Sequence, residues 1–496
     1  MEHYQTPTLW RRADNCPILH PEAAKDCILP DSYPDIHRIL HTTATACPGR
    51  TLLNGGKLQT EGVLHTAVLY ADEEGAFYTV RFSIPYTGQM PCAAEEAEAV
   101  VVADTVADSI TARAQNPRKL AIRGRLTVTP YLFYRCAEEP ILSPELAEAV
   151  PEKKLQTVTC CQLRQWSEEG IEASEDLTLG QEPPISEIVW SDLALEVTSC
   201  EAGAGEIRFG GSGLLHLFYL TPAGKVQYAN IAFPIRSSVQ GEVADDALCR
   251  VRLLPEQVSV LPVEDASGEA RGVELDFTYS IWAVAAEKST CTRPVDCYCV
   301  DVPTEIRTET VLLFAGMKEA AAEYSRTVEG EAGGLQSILH TDARITVDSK
   351  EQSEGSTVLH CTAKLTVIGA DSEGRPISVQ LTDNFPLSIE GGEPCFCRLG
   401  GGAAPVAVIE EGSLKVRYAG TLSCMVAETG TATFVGSIRP ASGELPSAAD
   451  SITLCYPAPG ETLWDIAKRY RIPQSAILSV NDLCEGALPA VLLIPH

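Results

Sequence analysis

Apolar and polar residues alternate with a period of two over most of the chain. In "KLAIRGRLTVTPYLFY", Leu120, Ile122, Gly124 and Leu126 alternate with Ala121, Arg123 and Arg125. That pattern marks a half-buried strand. "GVELDFTYSIWAVA" and "SLKVRYAGTLSCMVAE" are further strands of the same kind. "GVLHTAVLYADEEGAFYTVRFSIPY" holds two β-rich runs on either side of "ADEEG", which predicts a hairpin with a four- or five-residue loop. "GLLHLFYLTPAGKVQYANIAFPI" repeats the arrangement around "TPAGK". Gly75 and Gly224 are placed to supply the positive-φ turn position.

The pattern recurs at long range. A constant offset of 149 residues carries Ile36, Ile39 and Leu40 onto Ile185, Ile188 and Val189. The same offset carries Gly62, Tyr70, Gly75 and Pro85 onto Gly211, Tyr219, Gly224 and Pro234. A third copy follows at an offset of 299, with Leu335, Ile338, Leu339 and Gly374 in register. It departs at Cys361 and Gly369, and its Pro386 has slipped by two positions. A unit of this length is too long for a solenoid repeat, so each copy is expected to be a domain with its own core. The "PDIHRIL" piece predicts a short helical turn entering the first strand, with Pro34 at a first helical position and Asp35 suited to the dipole.

Near the end the period changes from two to that of a helix. In "GETLWDIAKRY", Leu463, Ile466, Ala467 and Tyr470 fall on one face. Thr462 and Asp465 have the spacing of a capping box. Trp464 lies about 100° from Leu463, at the edge of the stripe, where the indole is either an exposed contact anchor or a helix-edge residue capping the small core. Lys468, Arg469 and Arg471 stand late in the helix, where cations suit the dipole. A second helix follows, with Pro473 in its first turn, Ala476, Ile477 and Val480 apolar, and Asn481 closing it. "SITLCY" and "AVLLIP" read as strands, which makes a β-α-α-β unit with a thin core.

The expected fold is mainly β: three tandem β-sandwich-like repeat domains followed by a small βααβ domain. The expected limits are 1–140 for the first repeat, 141–155 for a charged, helix-prone connector, and 156–302 for the second repeat. The divergent third repeat takes 303–440, a flexible linker 441–450, and the terminal domain 451–496. "PASGELPSAAD" is the basis for the linker.

Charge and cysteine usage narrow the function. The formal net charge is −29, which opposes binding to nucleic acid phosphates and to anionic lipid. No apolar run is long enough to insert into a membrane. The start, "MEHYQTPTLWRRADNC", lacks the apolar core of a secretory signal, so a cytoplasmic protein is expected. The 18 cysteines are then expected to be reduced thiols that pack as small apolar residues. Cys297/Cys299 and Cys395/Cys397 would each share one face of a strand. Cys160/Cys161 would point to opposite faces. None of the three pairs has zinc-site spacing, so no metal is expected. There is no phosphate-cradling G-x-x-x-x-G-K-[ST], no H-E-x-x-H and no G-x-S-x-G elbow. His65 and His216 lie within predicted strands. No catalytic residue, no cofactor and no enzyme activity are expected.

Two resemblances add to this. "PGETLWDIAKRYRIPQSAILSVNDL…LLIP" resembles a LysM domain, although Cys455 and Pro457 replace the usual Tyr-x-Val of its first strand. LysM resemblance implies binding of N-acetylglucosamine-containing glycans in a groove lined by Gly460–Thr462 and by the loop around Asp482–Gly486, or binding of a protein. "ILPDSYPDIHRIL", "NPRKLAIRGRLTV", "CQLRQWSEEGIEASEDLTL" and "PPISEIVWSDLALEV" are similar to the SPOCS repeat of endospore-forming Firmicutes. That repeat occurs with a terminal LysM domain in SipL-type spore coat morphogenetic proteins. This resemblance implies a sporulation adaptor in the mother cell, at the forespore surface. Its LysM domain would bind the stage IV sporulation ATPase of the coat basement layer. The alternative is a LysM protein that binds peptidoglycan, or a chitin-like glycan, in the wall or spore cortex. Self-association of the repeats is a further expectation. On either reading the candidate contact residues are Ile452, Gly460, Glu461, Thr462, Trp464, Asn481 and Asp482.

Overall fold

A computed structural model describes residues 10–12, 16–92, 99–135, 140–353, 355–400, 404–442, 453–481 and 488–495. The first copy contains β1 (Trp10–Arg12), β2 (Glu22–Ile28), β3 (Arg38–Asn54), β4 (Lys57–Ala71), β5 (Phe77–Pro91), β6 (Ala99–Asn116) and β7 (Lys119–Arg135). After β8 (Ile141–Leu142), the second contains β9 (Glu152–Thr178), β10 (Glu187–Gly203), β11 (Glu206–Leu220), β12 (Val226–Gln240), β13 (Leu248–Glu264) and β14 (Ala270–Tyr298). The third contains β15 (Thr304–Glu331), β16 (Ser337–Ser353), β17 (Ser356–Ala370), β18 (Pro376–Glu390), β19 (Glu393–Gly400), β20 (Val406–Glu410) and β21 (Ser413–Pro440). The terminal unit is β22 (Thr453–Cys455), α1 (Leu463–Tyr470), α2 (Gln474–Asn481) and β23 (Leu492–Ile494). No described helix is long and apolar enough to cross a membrane.

Each copy is a sandwich of two antiparallel sheets. One is a three-stranded meander: β3-β4-β5, β10-β11-β12 or β16-β17-β18. In the other, the copy's last long strand pairs on one side with a strand from the start of the copy, β2, β9 or β15, and on the other with β6, with β13, or with β19 and β20. The cores join the two sheets. In the second copy, Leu215, Leu217 and Phe233 of the meander meet Val251, Leu275 and Phe277 of the other sheet. Separate clusters around Leu64, Val68 and Leu120, and around Leu359, Val367 and Val416, fill the first and third copies. The alternation read at Leu120, Ile122 and Leu126 is the buried face of β7.

The repeat spacing is kept strand by strand. β3, β10 and β16 begin at 38, 187 and 337, and each carries a bulge at the equivalent residue, Leu40, Val189 or Leu339. Gly75, Gly224 and Gly374 all take positive φ in the hairpin turns. The Asp72 carboxylate accepts from the backbone N–H of Glu74 and Ala76, and Asp371 does the same for Glu373 and Arg375. Such bonds fix the turn locally. Tyr70 donates to the Pro34 carbonyl at 2.9 Å, and Tyr219 to the Pro183 carbonyl at 3.0 Å. The third copy has Gly369 at that position, and Leu335 packs so close that a side chain there would collide with it.

The segment read as a helical turn at "PDIHRIL" is not helical. It runs without regular structure into β3 at Arg38. Its backbone groups are taken by tertiary partners instead: Ile36 N–H donates to the Pro117 carbonyl, and the Pro34 carbonyl receives Tyr70. The 141–155 stretch holds β8, a single 3-10 turn at Pro144–Leu146 and the start of β9. Positions 443–450 of the expected linker lie outside the described residues.

The three sandwiches are not strung out. β1 pairs with both β7 and β15, so the first and third copies share one nine-stranded sheet. Leu69, Phe218 and Ile368 occupy the same repeat position, are fully buried, and meet in one cluster with Leu40 and Trp190. The copies are therefore arranged around an approximate threefold axis. Polar bonds cross the seams. Arg81 donates to the Ser191 carbonyl at 2.7 Å, Arg344 to the Ala107 carbonyl at 2.6 Å, and Arg252 to Asp104 at 2.5 Å. Tyr131, Trp282 and Phe396, one from each copy, form a second shared cluster. Cys160 and Cys161 do point to opposite faces, into different clusters. Cys395 and Cys397 do not share a face: Phe396 between them has φ 49°, and this reversal sends Cys395 and Cys397 toward different clusters.

Candidate functional site

The terminal unit has the β-α-α-β order. Thr453, Leu454 and Cys455 pair with Ile494, Leu493 and Leu492, so the altered first strand is short and ends at Cys455. Ala458–Glu461 make a tight turn, with the Glu461 N–H donating to the Ala458 carbonyl at 3.0 Å. Pro459 and Gly460 suit its two central positions, and Gly460 has φ 83°. The turn delivers Thr462 to the start of α1. There the Thr462 hydroxyl accepts from the Asp465 N–H at 3.3 Å, and the Asp465 carboxylate accepts from the Thr462 N–H at 2.9 Å. The capping box is complete. The Thr462 hydroxyl also donates to Asp465 Oδ2 at 2.6 Å, and this bond first, then the Thr462 N–H, holds the Asp465 carboxyl below the usual carboxylate range.

The unit's own core consists of Cys455, Ile466, Ala467, Ile477, Leu492 and Ile494. Ile466 and Ala467 are on the expected helical face. Of the two readings of Trp464, the exposed anchor does not hold and the capping one does: it is only 4 % exposed and packs in the unit's core cluster. Its ring stands edge-on to Tyr298 of the second sandwich, with centroids 5.1 Å apart. Its Nε1–H donates to Asp296 Oδ2 at 2.8 Å. One helical turn later, Lys468 Nζ lies 2.5 Å from Asp296 Oδ1. The Tyr298 hydroxyl donates to the Ile472 carbonyl at 2.8 Å, and burial pushes that phenol up. The terminal unit is therefore docked on the end of β14, and Trp464 is the docking residue. A wheel scores only a helix's own domain; here a second partner covers the remaining side.

The other expected contact residues that are described divide into two groups. Gly460 is exposed, and nothing would obstruct a Cβ there. Glu461, Thr462 and Asn481 spend their side chains on the framework. Glu461 accepts from the Ala458 N–H at 2.9 Å and pairs with Arg469. Asn481 is bound on both sides: its amide donates to the Ile477 and Leu493 carbonyls, and its carbonyl accepts the Leu493 N–H at 2.6 Å. It ties α2 to β23 and leaves no side-chain group for a ligand. Ile452 and Asp482 lie outside the described residues. Among the expected contact residues that are described, the open surface is thus the backbone of the turn at Gly460.

Sequence reading missed Asp296 and Tyr298, which lie more than 160 residues from their partners. β14 runs for 29 residues, close to the 28 of β15 and β21, so its length gives no local signal of the docking. Among the described residues, no group of three or more His, Cys, Asp or Glu is placed to hold a metal ion.

Residues 458–489 match the model of the LysM domain family. No curated protein and no solved structure matches the chain. The docked β-α-α-β unit is a LysM domain, and a LysM domain is associated with binding peptidoglycan or related glycans.

Proposed function

We propose that the chain is a non-enzymatic scaffold whose LysM head binds an N-acetylglucosamine-containing glycan of the peptidoglycan type. The open turn at Gly460 carries this reading. It is exposed, as are Tyr456, Leu454 and Leu478 elsewhere in the unit, and it presents backbone rather than committed side chains. The three fused sandwiches serve as a rigid mount. The docking through Trp464 and Asp296 gives the head a fixed orientation on it.

A second reading is favoured by the architecture. Three copies of one sandwich with a LysM domain at the end are what the resemblance to SipL-type spore coat proteins leads one to expect. In that reading the chain is a mother-cell adaptor at the forespore surface, and the LysM head binds the stage IV sporulation ATPase.

Full-length protein co-sedimented with purified peptidoglycan, and in parallel captured on the immobilised ATPase, separates the two. The glycan reading expects pelleting that weakens about tenfold in Gly460→Val, because a β-branched residue at positive φ strains and reshapes the turn by about 1–3 kcal/mol. Capture on the ATPase with no pelleting transfers the assignment to the adaptor reading. Unchanged pelleting by folded Gly460→Val removes the turn from the site.

A further inference from the structure

Two pairs of cysteine sulfurs are brought together at the seam between the second and third sandwiches. Cys200 Sγ of β10 lies 2.7 Å from Cys249 Sγ of β13, linking the two sheets of the second sandwich. Cys397 Sγ of β19 lies 2.7 Å from Cys424 Sγ of β21 in the third. A disulfide S–S bond is about 2.05 Å, so each pair is within about 0.7 Å of bonding distance. The spacing of neither pair shows in the sequence, where they are 49 and 27 residues apart. Cys397 is delivered by the chain reversal at Phe396.

Both pairs are chained to the residues that hold the seam. Cys249 precedes Arg250, whose guanidinium donates to the Phe396 carbonyl at 2.7 Å and the Ser423 carbonyl at 2.9 Å. Cys397 precedes Arg398, which reaches back to Glu196 Oε1 at 2.9 Å and to the Val197 carbonyl. Cys424 follows Ser423. A cavity of about 580 Å³ opens at this place, with Cys200, Cys249, Arg250, Glu319 and Arg398 in its wall. It is open to solvent and large enough for a small peptide-sized reagent beside the first pair, whereas Cys397 and Cys424 are not in its wall. Cys200 and Cys397 are half-buried, whereas Cys249 and Cys424 are buried. The hydrogen bond from Cys424 lowers the Cys397 thiol against the opposing effect of burial, with Lys350 adding to it, which favours the nucleophilic thiolate; in the first pair the bond lowers the buried Cys249 and raises Cys200.

We propose that Cys200–Cys249 and Cys397–Cys424 form a redox-modification site, at which each dithiol closes to a disulfide by exchange with a small-molecule disulfide of the glutathione class. In the first step a cysteine thiolate attacks one sulfur of the small disulfide. That S–S bond breaks, and one small thiolate leaves and takes up the proton. In the second step the neighbouring cysteine attacks the protein-side sulfur of the mixed disulfide, and the second small thiol leaves with the other proton. Two protein thiols are oxidised and one small disulfide is reduced to two thiols. The closed bonds clamp the strands that carry Arg250 and Arg398, so oxidation locks the seam.

The test uses the full chain, equilibrated in glutathione buffers of rising oxidised fraction, then acid-quenched, alkylated and mapped by mass spectrometry. Linked peptides for 200–249 and 397–424 are expected, reversed by dithiothreitol, with Cys47 and Cys361 alkylated throughout. Hydrogen exchange in β13 and β19 is expected to slow about tenfold on oxidation. Cys200→Ser should remove the first link and keep the second, which also reports that the variant is folded; Cys424→Ser should do the reverse. The proposal is overturned if all four cysteines stay alkylatable in oxidised glutathione, if the links scramble to other cysteines, or if both links form with seam exchange unchanged.

Discussion

Asp296→Ala should release the LysM head while leaving both folded bodies intact. The carboxylate is 23 % exposed and binds two groups of α1. The Trp464 indole N–H is buried, and a hydrogen bond to a charged group contributes about 1.5–3 kcal/mol, so its loss is placed near 1.5–2 kcal/mol. Lys468 is 39 % exposed, and solvent screening limits that pair to about 0.5–1 kcal/mol. Together the docked state loses about 2–3 kcal/mol, or about 30- to 140-fold in its population relative to the free head. The Tyr298 contacts and the head's own core remain. Fluorine NMR of 5-fluorotryptophan-labelled protein reads the change, with Trp464→Phe assigning the line among the five tryptophans. The Trp464 line should acquire a solvent isotope shift in Asp296→Ala, and the Trp190 and Trp282 lines should not move. A Trp464 line that stays protected from solvent would show that Asp296 does not hold the head.

Tyr219→Phe removes the donor to the Pro183 carbonyl and leaves that acceptor unpaired, so the urea midpoint should fall by an amount equivalent to about 1–2 kcal/mol; an unchanged midpoint would mean the latch is idle. Stability should also depend on His340, which is packed against Trp190, His216, Phe218 and Tyr228 and pushed down to about 3 by burial, with Asp342 opposing and His216 and His41 reinforcing the shift. Because the folded value lies below the unfolded one, its contribution is complete above about pH 6.5 and is lost as pH falls toward 3, amounting to about 2 kcal/mol at pH 5. The melting temperature should therefore fall between pH 7 and pH 5 in the parent and fall less in His340→Gln; identical slopes would remove His340 as the cause.

The repeat was legible because its signals are local. Period-two alternation, the turn glycines and the capping box each depend on residues a few positions apart, and the offset between copies survives as identical strand limits at β3, β10 and β16. The docking of the copies was not legible, because it rests on equivalent positions having diverged. Leu69, Phe218 and Ile368 fill one axis with three different shapes, and position 41 of the first copy is His41, Trp190 and His340 in turn. A repeat alignment scores those differences as noise, yet three unlike side chains can fill an asymmetric centre that three copies of one residue would leave poorly packed. The same limit explains Trp464. Nothing within the LysM segment announces that Asp296 and Tyr298 will cover its edge.

The docking also sets the terms on which the head can bind. One face of α1, carrying Trp464 and Lys468, is committed to β14, while the Gly460 turn is free. A ligand read by the turn meets the head in its docked form and gains nothing from release. A protein partner that needs Trp464 must first break the contacts to Asp296, and its apparent affinity is reduced by the fraction of heads that are free. Asp296→Ala should therefore leave glycan binding unchanged and tighten a Trp464-directed protein partner by up to about 30- to 140-fold. Equal affinities for the ATPase in the parent and in Asp296→Ala would mean that such a partner, if it binds, does so without touching the face that the second sandwich already occupies.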